Sequence, residues 1–153
     1  MGNDDRAEGK QGGGGLGARW RDALVKVYGP EREGALDALI SLYEEDLQFR
    51  DPTQELRGRD AFAKMNRQFL GSVRSVEVTV RDLIEGEGSF FMAWTMRVAA
   101  RIGPTVTVQG VTHARTRGGK IFEQRDYFDL AGSVLGALPG VSAAYRFVVK
   151  KLV

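Results

Sequence analysis

An aspartate lies among aromatic residues in the strand-like segment Lys120–Leu130, KIFEQRDYFDL. Successive side chains of a strand point to opposite faces, so this acid, Asp126, would share a face with Phe122, Gln124 and Phe128. A buried carboxylate is costly unless it is hydrogen-bonded or paired. Asp126 is therefore either a structural carboxylate that is hydrogen-bonded or paired, or a functional acid in an apolar pocket.

The only histidine of the chain, His113, lies on a neighbouring strand-like segment. It would share a face with Gln109 and Val111. Because the ordinary pKa of imidazole lies near neutrality, His113 is a candidate for proton transfer beside Asp126. The alternative is a hydrogen-bonded strand residue near the rim of the sheet. One histidine and scattered acids do not supply the ligands of a metal site, and we expect neither a metal nor a cofactor.

The composition is typical of one globular domain. The chain has 153 residues, of which 42% are hydrophobic, and its 22 basic and 20 acidic residues are spread along it. It has no apolar run of about 20 residues and no apolar segment of the kind that begins a signal peptide. It has no cysteine and hence no disulfide. We therefore expect a cytoplasmic protein with no nucleic-acid partner.

Residues 1–17 are polar and glycine-rich, and we interpret them as a disordered tail. Their Gly12–Gly15 run has the composition of a phosphate-binding loop. No strand precedes it, however, and no lysine-serine or lysine-threonine pair follows it. The run therefore does not predict nucleotide binding.

Apolar residues at helical spacing predict three helices after this tail, over Trp20–Tyr28, Leu36–Tyr43 and Phe62–Phe69. The acids Glu44–Asp46 would form the solvated end of the second helix. A short segment, Leu47–Asp51, separates the second helix from the third.

The second half of the chain alternates apolar and polar residues, which predicts strands. Pairs of turn-forming residues separate these strands and indicate an antiparallel meander. The four predicted strands are Val76–Val80, Phe90–Ile102, Thr105–Thr116 and Lys120–Leu130. Helices followed by such a meander indicate an α+β fold in which the helices cover one face of the sheet.

Two segments resemble the NTF2-like superfamily. They are LYEEDLQFRDPTQELRGRDAF, Leu42–Phe62, and GGKIFEQRDYFDL, which ends at Leu130. The resemblance covers residues 18–138 and extends to SnoaL-like polyketide cyclases, ketosteroid isomerases and limonene-epoxide hydrolases. It implies an α+β cone in which N-terminal helices pack on a strongly curved, mostly antiparallel sheet. It does not define one activity, because this fold holds a pocket that hosts unrelated chemistries.

Within this resemblance, Asp51 matches the aspartate that shuttles the proton in ketosteroid isomerases. An ungapped alignment places Val111 where those enzymes have a second aspartate. Asp126 and Arg97 match an aspartate and an arginine of the epoxide hydrolases, and Ala99 replaces their second aspartate. We therefore expect Asp51 to take the place of the missing acid.

Each of these residues also has a structural interpretation. Asp51 precedes Pro52, where an aspartate often binds the following backbone in a turn. If Arg97 faces the pocket, as the resemblance implies, it becomes the counter-ion of Asp126. That pair would either work in catalysis or form a buried ion pair that fixes strand register.

The last segment, residues 139–153, has apolar residues at helical spacing beside basic ones, which predicts a basic amphipathic helix. It could cap the pocket, pack on a partner subunit or make weak contact with an anionic membrane surface. We favour packing on the protein itself.

Together these patterns predict a SnoaL-like pocket protein that binds a small hydrophobic molecule and forms a homodimer through the exposed sheet face. It would be an acid–base isomerase, cyclase or hydrolase of a steroid-, terpenoid- or polyketide-like substrate. Its candidate catalytic residues are Asp51, Asp126, Arg97 and His113. The alternative is a non-catalytic binding or assembly module of the same fold.

Overall fold

A computed structural model describes residues 14–30, 32–134, 147–148 and 150–151. The predicted tail falls mainly on residues 1–13, outside the described residues. The predicted C-terminal helix falls largely outside them too, although residues 147–148 and 150–151 are helical.

The described chain begins with two helices, which are followed by two strands, a third helix, four strands and a short helix. None of its helices has the length and apolar character needed to cross a bilayer. The elements are α1 Leu16–Tyr28, α2 Arg32–Ile40, β1 Tyr43–Arg50, β2 Glu55–Arg57, α3 Arg59–Ser72, β3 Val73–Gly86, β4 Ser89–Ala100, β5 Thr105–Arg117, β6 Lys120–Phe128 and α4 Leu130–Val134.

The strands form one sheet in the order β2-β1-β6-β5-β4-β3. Strands β3 to β6 pair antiparallel with their neighbours in the chain, which confirms the predicted meander. Strand β1 pairs parallel with β6 and antiparallel with β2. The predicted α+β architecture, with helices packed on a mostly antiparallel sheet, is therefore confirmed.

The prediction was wrong about the segment after α2. The helix ends at Ile40, and Tyr43 together with Glu44–Asp46 belongs to β1. The register between β1 and β6 is irregular between Tyr43 and Gln48, so the apolar residues of β1 do not alternate regularly. Glu44 lies on this strand, and its two carboxylate oxygens accept hydrogen bonds of 2.8 and 2.6 Å from Arg117.

The helices pack against one face of the sheet, here called the inner face. Apolar side chains of α1, α2 and α3 form one buried cluster with the inner side chains of β1, β4, β5 and β6. Tyr43, Phe90 and Met92 are among the largest fully buried side chains of this cluster. The cluster fixes where the helices lie relative to the last strand.

A bulge in β6 corrects one predicted face. The pairing with β5 shifts between Arg115 and Thr116, so that Phe122 lies out of the regular alternation. Its ring lies under the guanidinium groups of Arg115 and Arg117, at 5.1 and 4.4 Å. Phe122 does not share the inner face with Asp126.

The opposite, outer face of the sheet carries exposed apolar side chains. Phe91, Val111 and Tyr127 are 44%, 37% and 46% exposed, and they lie on the adjacent strands β4, β5 and β6. The homodimer expected through this face stays a prediction.

The start of α1 is held by a carboxylate from β3. Glu85 accepts a hydrogen bond of 2.5 Å from the backbone N–H of Gly17. A Cβ atom at Gly17 would lie only 2.8 Å from Glu85 Oε1, so a larger residue there would displace the carboxylate. The carboxylate satisfies an unpaired N–H group and complements the positive end of the helix dipole.

We expect Glu85→Ala to lower the free energy of unfolding by about 1 kcal/mol, because the first turn of α1 loses its cap. Urea denaturation of the variant measures this change. Glu87→Ala, a substitution in the exposed β3–β4 turn, is the matched control. Equal unfolding free energies for both variants would contradict a capping role for Glu85.

Candidate active site between the helices and the sheet

A cavity of about 670 Å³ lies between the helices and the inner face of the sheet. Most of its wall is apolar. The helices contribute Trp20, Tyr28, Phe62 and Phe69 to it. The strands contribute Tyr43, Phe49, Trp94 and Phe128. Its size is within the range of small-molecule pockets, about 300 to 1,000 Å³.

Asp126 lines this cavity from β6, and two neighbouring side chains orient its carboxylate. Its Oδ1 atom accepts hydrogen bonds from Thr112 Oγ1 at 2.7 Å and from Gln124 Nε2 at 3.0 Å. Its Oδ2 atom has one longer contact, 3.2 Å, to the same Gln124 nitrogen. Oδ2 is therefore the oxygen with more capacity for a further hydrogen bond.

One chain of hydrogen bonds reaches Asp126 from the helices. Trp20 Nε1 donates to the hydroxyl of Tyr43 at 2.6 Å, and that hydroxyl donates to Gln124 Oε1 at 2.6 Å. An indole N–H can only donate, so it determines the direction of every bond that follows. The amide of Gln124 is thereby fixed with its NH₂ group toward Asp126.

A second chain reaches Asp126 within the sheet. Trp94 Nε1 donates to Thr112 Oγ1 at 3.1 Å, and the threonine hydroxyl therefore donates to Asp126. Gly110 makes room for the indole, because a Cβ atom there would lie 2.5 Å from Trp94 Cζ2. Both chains thus direct their donors at one carboxylate.

Burial raises the pKa of Asp126 to about 6, the largest effect on this group. The hydrogen bonds from Thr112 and Gln124 act in the opposite direction and lower this pKa, whereas the negative charge of Asp51 raises it. An acid whose pKa lies near 6 can both accept and donate a proton at neutral pH. This property makes Asp126 the candidate acid–base group.

Asp51 lines the same cavity but is engaged in the turn between β1 and β2. Its Oδ1 atom accepts hydrogen bonds from the backbone N–H groups of Thr53 and Gln54, at 2.6 and 3.0 Å, and from the Thr53 hydroxyl at 2.7 Å. Its Oδ2 atom accepts one from Gln54 Nε2 at 3.2 Å. These contacts correspond to the structural interpretation of Asp51, in which it holds the turn.

Tyr28, at the end of α1, brings a phenol to the cavity. Its hydroxyl makes no hydrogen bond to any residue that the structure describes. Burial and the charge of Asp126 both raise its pKa, so the phenol stays protonated at neutral pH. It can therefore donate a hydrogen bond to a bound molecule.

Arg97 and His113 do not lie at the cavity. The alternation predicted for β4 and β5 is present, but Met96 and Val98 line the cavity, and Arg97 is exposed on the outer face. The His113 ring stacks on Phe91 on that outer face, with ring centroids 4.1 Å apart. The expectation that these two residues work beside Asp126 is therefore corrected.

The same face assignment affects the alignment with ketosteroid isomerases. Val111 lies on the outer face, and the inward residues beside it are Gly110 and Thr112. Val111, which the ungapped alignment set against the second aspartate of those enzymes, therefore does not face the cavity.

Five residues belong to the hydrogen-bond network of Asp126 without having been predicted from the sequence as part of it: Trp20, Tyr43, Trp94, Thr112 and Gln124. Gln124 had a signal, because it was predicted to share a face with Asp126. The others did not, since a tryptophan donor and its acceptor come together only through tertiary packing.

Among the described residues, no group of three or more histidine, aspartate or glutamate side chains is placed to hold a metal ion. The titratable groups of the cavity wall there are Asp51, Asp126, Tyr28 and Tyr43.

Comparisons with known proteins give the same fold. The family model of the SnoaL-like domain matches residues 19–124. No curated protein matches the sequence.

Three solved structures illustrate the range of relatives. A protein from Catenulispora acidiphila with a ketosteroid isomerase-like fold, in complex with trimethylamine, is 21% identical over 77% of this chain and 90% of its own, with a TM-score of 0.66. An epoxide hydrolase of M. tuberculosis similar to the limonene-epoxide hydrolases is 21% identical over 85% and 95%, with a TM-score of 0.65. A SnoaL-like polyketide cyclase assigned in Jannaschia sp. CCS1 is 16% identical over 85% and 98%, with a TM-score of 0.66. At these identities the likeness shows the fold alone.

We expect Thr112→Val to raise the pKa of Asp126 by about one pH unit above its value near 6, because the carboxylate loses a donor that stabilises its charge. Carbon NMR of labelled aspartate carboxyl groups measures this titration. Thr107→Val, on the outer face of the same strand, should leave it unchanged. An unchanged pKa in Thr112→Val would contradict the assigned network.

Proposed function

Because this chain belongs to the SnoaL-like domain family, we propose that it binds a small hydrophobic molecule in the cavity and transfers a proton to or from it through Asp126. The reaction would be an isomerisation, a cyclisation or a hydration. The observation that carries the proposal is a carboxylate with a pKa near 6, oriented by fixed donors in an apolar cavity.

The arrangement around Asp126 suits general acid–base catalysis. A catalytic group works best when its pKa is close to the working pH and when its position is fixed before the substrate binds. The two donor chains orient Oδ1, and Oδ2 remains the oxygen with more capacity to exchange a proton with a bound molecule.

Asp51 has a supporting role in this proposal. Its oxygens already accept four hydrogen bonds within the turn, which leaves little capacity for proton transfer. Its negative charge contributes to the raised pKa of Asp126. Tyr28 supplies a protonated phenol that can bind an oxygen atom of the substrate.

The alternative function is a non-catalytic binding module. It is favoured by the hydrogen bonds of Asp126, which join β6 to β5 and through Gln124 to β1, as those of a structural acid would. A structural acid and a working acid differ in their effect on stability. A structural acid stabilises the fold, whereas a working acid often destabilises it.

We expect Asp126→Asn to be more stable than the wild type at pH 7. The folded-state pKa of Asp126, about 6, is above the ordinary 3.8, so the folded protein binds the proton more tightly than the unfolded chain. Wild-type stability should therefore rise as the pH falls from 6 toward 4, and the ionised carboxylate should cost about 1 to 3 kcal/mol at pH 7. The asparagine variant should lack this contribution.

Urea denaturation of both proteins between pH 4 and pH 7 measures this difference. Asp82→Asn is the comparison variant, because Asp82 is an exposed acid on β3 that does not line the cavity. If Asp126→Asn instead proves clearly less stable than the wild type at pH 7, the carboxylate is structural and the binding module is favoured.

We expect Asp126→Asn to keep ligand binding and to lose at least about a hundredfold in turnover, the range found for removal of a general acid–base group. Both tryptophans of the chain, Trp20 and Trp94, line the cavity, so their fluorescence reports binding directly. A screen of steroids, terpenoid epoxides and polyketide-like aromatic compounds supplies ligands, which are then assayed for turnover. Turnover that survives the substitution would exclude Asp126 as the acid–base group.

A further inference from the structure

Among the residues that the structure describes, the charged groups of the cavity wall are all of one sign. Asp51 and Asp126 line the cavity, and no lysine, arginine or histidine among the described residues does so. The basic residues predicted to lie there, Arg97 and His113, are on the outer face of the sheet. The hydrogen bonds that the two acids accept all come from neutral groups, the side chains of Thr53, Gln54, Thr112 and Gln124 and the backbone.

A carboxylate away from bulk water is normally paired with a cation or bound to a metal. Asp126 has neither among the described residues, although burial raises its pKa. Its hydrogen bonds lower that pKa but carry no compensating charge. A positive charge on a bound molecule would supply what the wall of the cavity lacks.

The aromatic side chains of the wall favour the same kind of charge. Four come from the helices and four from the strands, and they include both tryptophans of the chain. The face of an aromatic ring carries partial negative charge and attracts cations, and indole does so most strongly. An ammonium group surrounded by such rings keeps favourable electrostatic contacts after it leaves water.

From this combination we infer that the ligand of the cavity is a hydrophobic cation, an apolar molecule whose ammonium group binds beside Asp126. The inference rests on the proposed function, because it names the ligand class of the same site. A carboxylate, sulfonate or phosphate of similar shape would face two acids and no counter-charge. A neutral ligand would gain burial but no charge pairing.

The pH dependence of ligand binding provides a second test, because it depends on the protonation of Asp126. Within the described part of the chain, the titratable groups that face the cavity are Tyr28 from α1, Tyr43 from β1, Asp51 from the following turn and Asp126 itself. The other described elements of the wall, α2, α3, β4 and β5, contribute no titratable group. A permanent cation should therefore bind more weakly as the pH falls through about 6, where Asp126 takes up a proton.

Three probes of similar shape test the inference. Benzyltrimethylammonium is a permanent cation, neopentylbenzene is its neutral carbon analogue, and benzylsulfonate is an anion with a tetrahedral head group. Titration of the full chain at pH 7.5, followed by the fluorescence of Trp20 and Trp94, gives each Kd. We expect the cation to bind at least about tenfold more tightly than the neutral analogue, and the anion more weakly than both.

The variants assign this preference to one carboxylate. Asp126→Asn should reduce the preference for the cation over the neutral analogue to about twofold or less, with neutral binding unchanged. Asp82→Asn, an exposed acid on β3, is the matched control and should keep the full preference. The wild-type preference should also shrink between pH 7.5 and pH 5.

The outcomes separate this inference from the proposed function. Equal or tighter binding of the neutral analogue, or tighter binding of the sulfonate, would overturn the cation while leaving an apolar ligand site in place. A preference that survives Asp126→Asn unchanged would overturn the role of this carboxylate in charge recognition. Failure of the cation to bind would overturn the inference, whereas the proposed function depends on the separate ligand screen and turnover assay.

Discussion

The carboxylate of Asp126 is the point at which the helices, the sheet and the cavity meet. Trp20 on α1 and Trp94 on β4 each start a chain of hydrogen bonds that ends there. Because an indole N–H can only donate, the direction of both chains is determined by covalent chemistry rather than by small adjustments of geometry. The position of the acid therefore depends on how α1 packs on the sheet, and the close approach of Glu85 to the start of α1 contributes to that packing.

This network orients a carboxylate whose ionised form burial disfavours. Burial raises the pKa of Asp126, while neutral donors lower it only in part. An apolar cluster made by three helices and the inner face of the sheet supplies the stability that offsets this cost. A residue whose burial opposes folding, yet whose orientation is closely determined, is more typical of a functional site than of a structural contact.

The sequence was sufficient for the three long helices, for the four-strand meander that follows them and for the inward direction of Asp126, since alternation identifies the residues that share one face of a strand. It could not show which face of β4 and β5 meets the helices, because both faces carry apolar residues. Phe91 is 44% exposed and Trp94 only 7%, although both are large aromatic residues of β4. Because the wrong face of β4 and β5 was assigned to the cavity, Arg97 and His113 were wrongly predicted to lie there. Strand β1 was missed in part because its irregular pairing with β6 removes the alternation on which such predictions depend.

The resemblance to enzymes of known chemistry has a similar limit, since one fold can position quite different sets of side chains. The resemblance predicted that Asp51, Asp126 and Arg97 act together, and His113 was added to this set as the only histidine of the chain. The structure keeps both acids at the cavity, and it surrounds them with two phenols and other aromatic side chains in place of Arg97 and His113. Arg97 is absent from this set because of the direction of one strand face, and its absence reverses the electrostatic preference of the cavity. A pocket with an arginine beside its acid would suit a neutral or anionic molecule, whereas the wall described here is complementary to a positive charge.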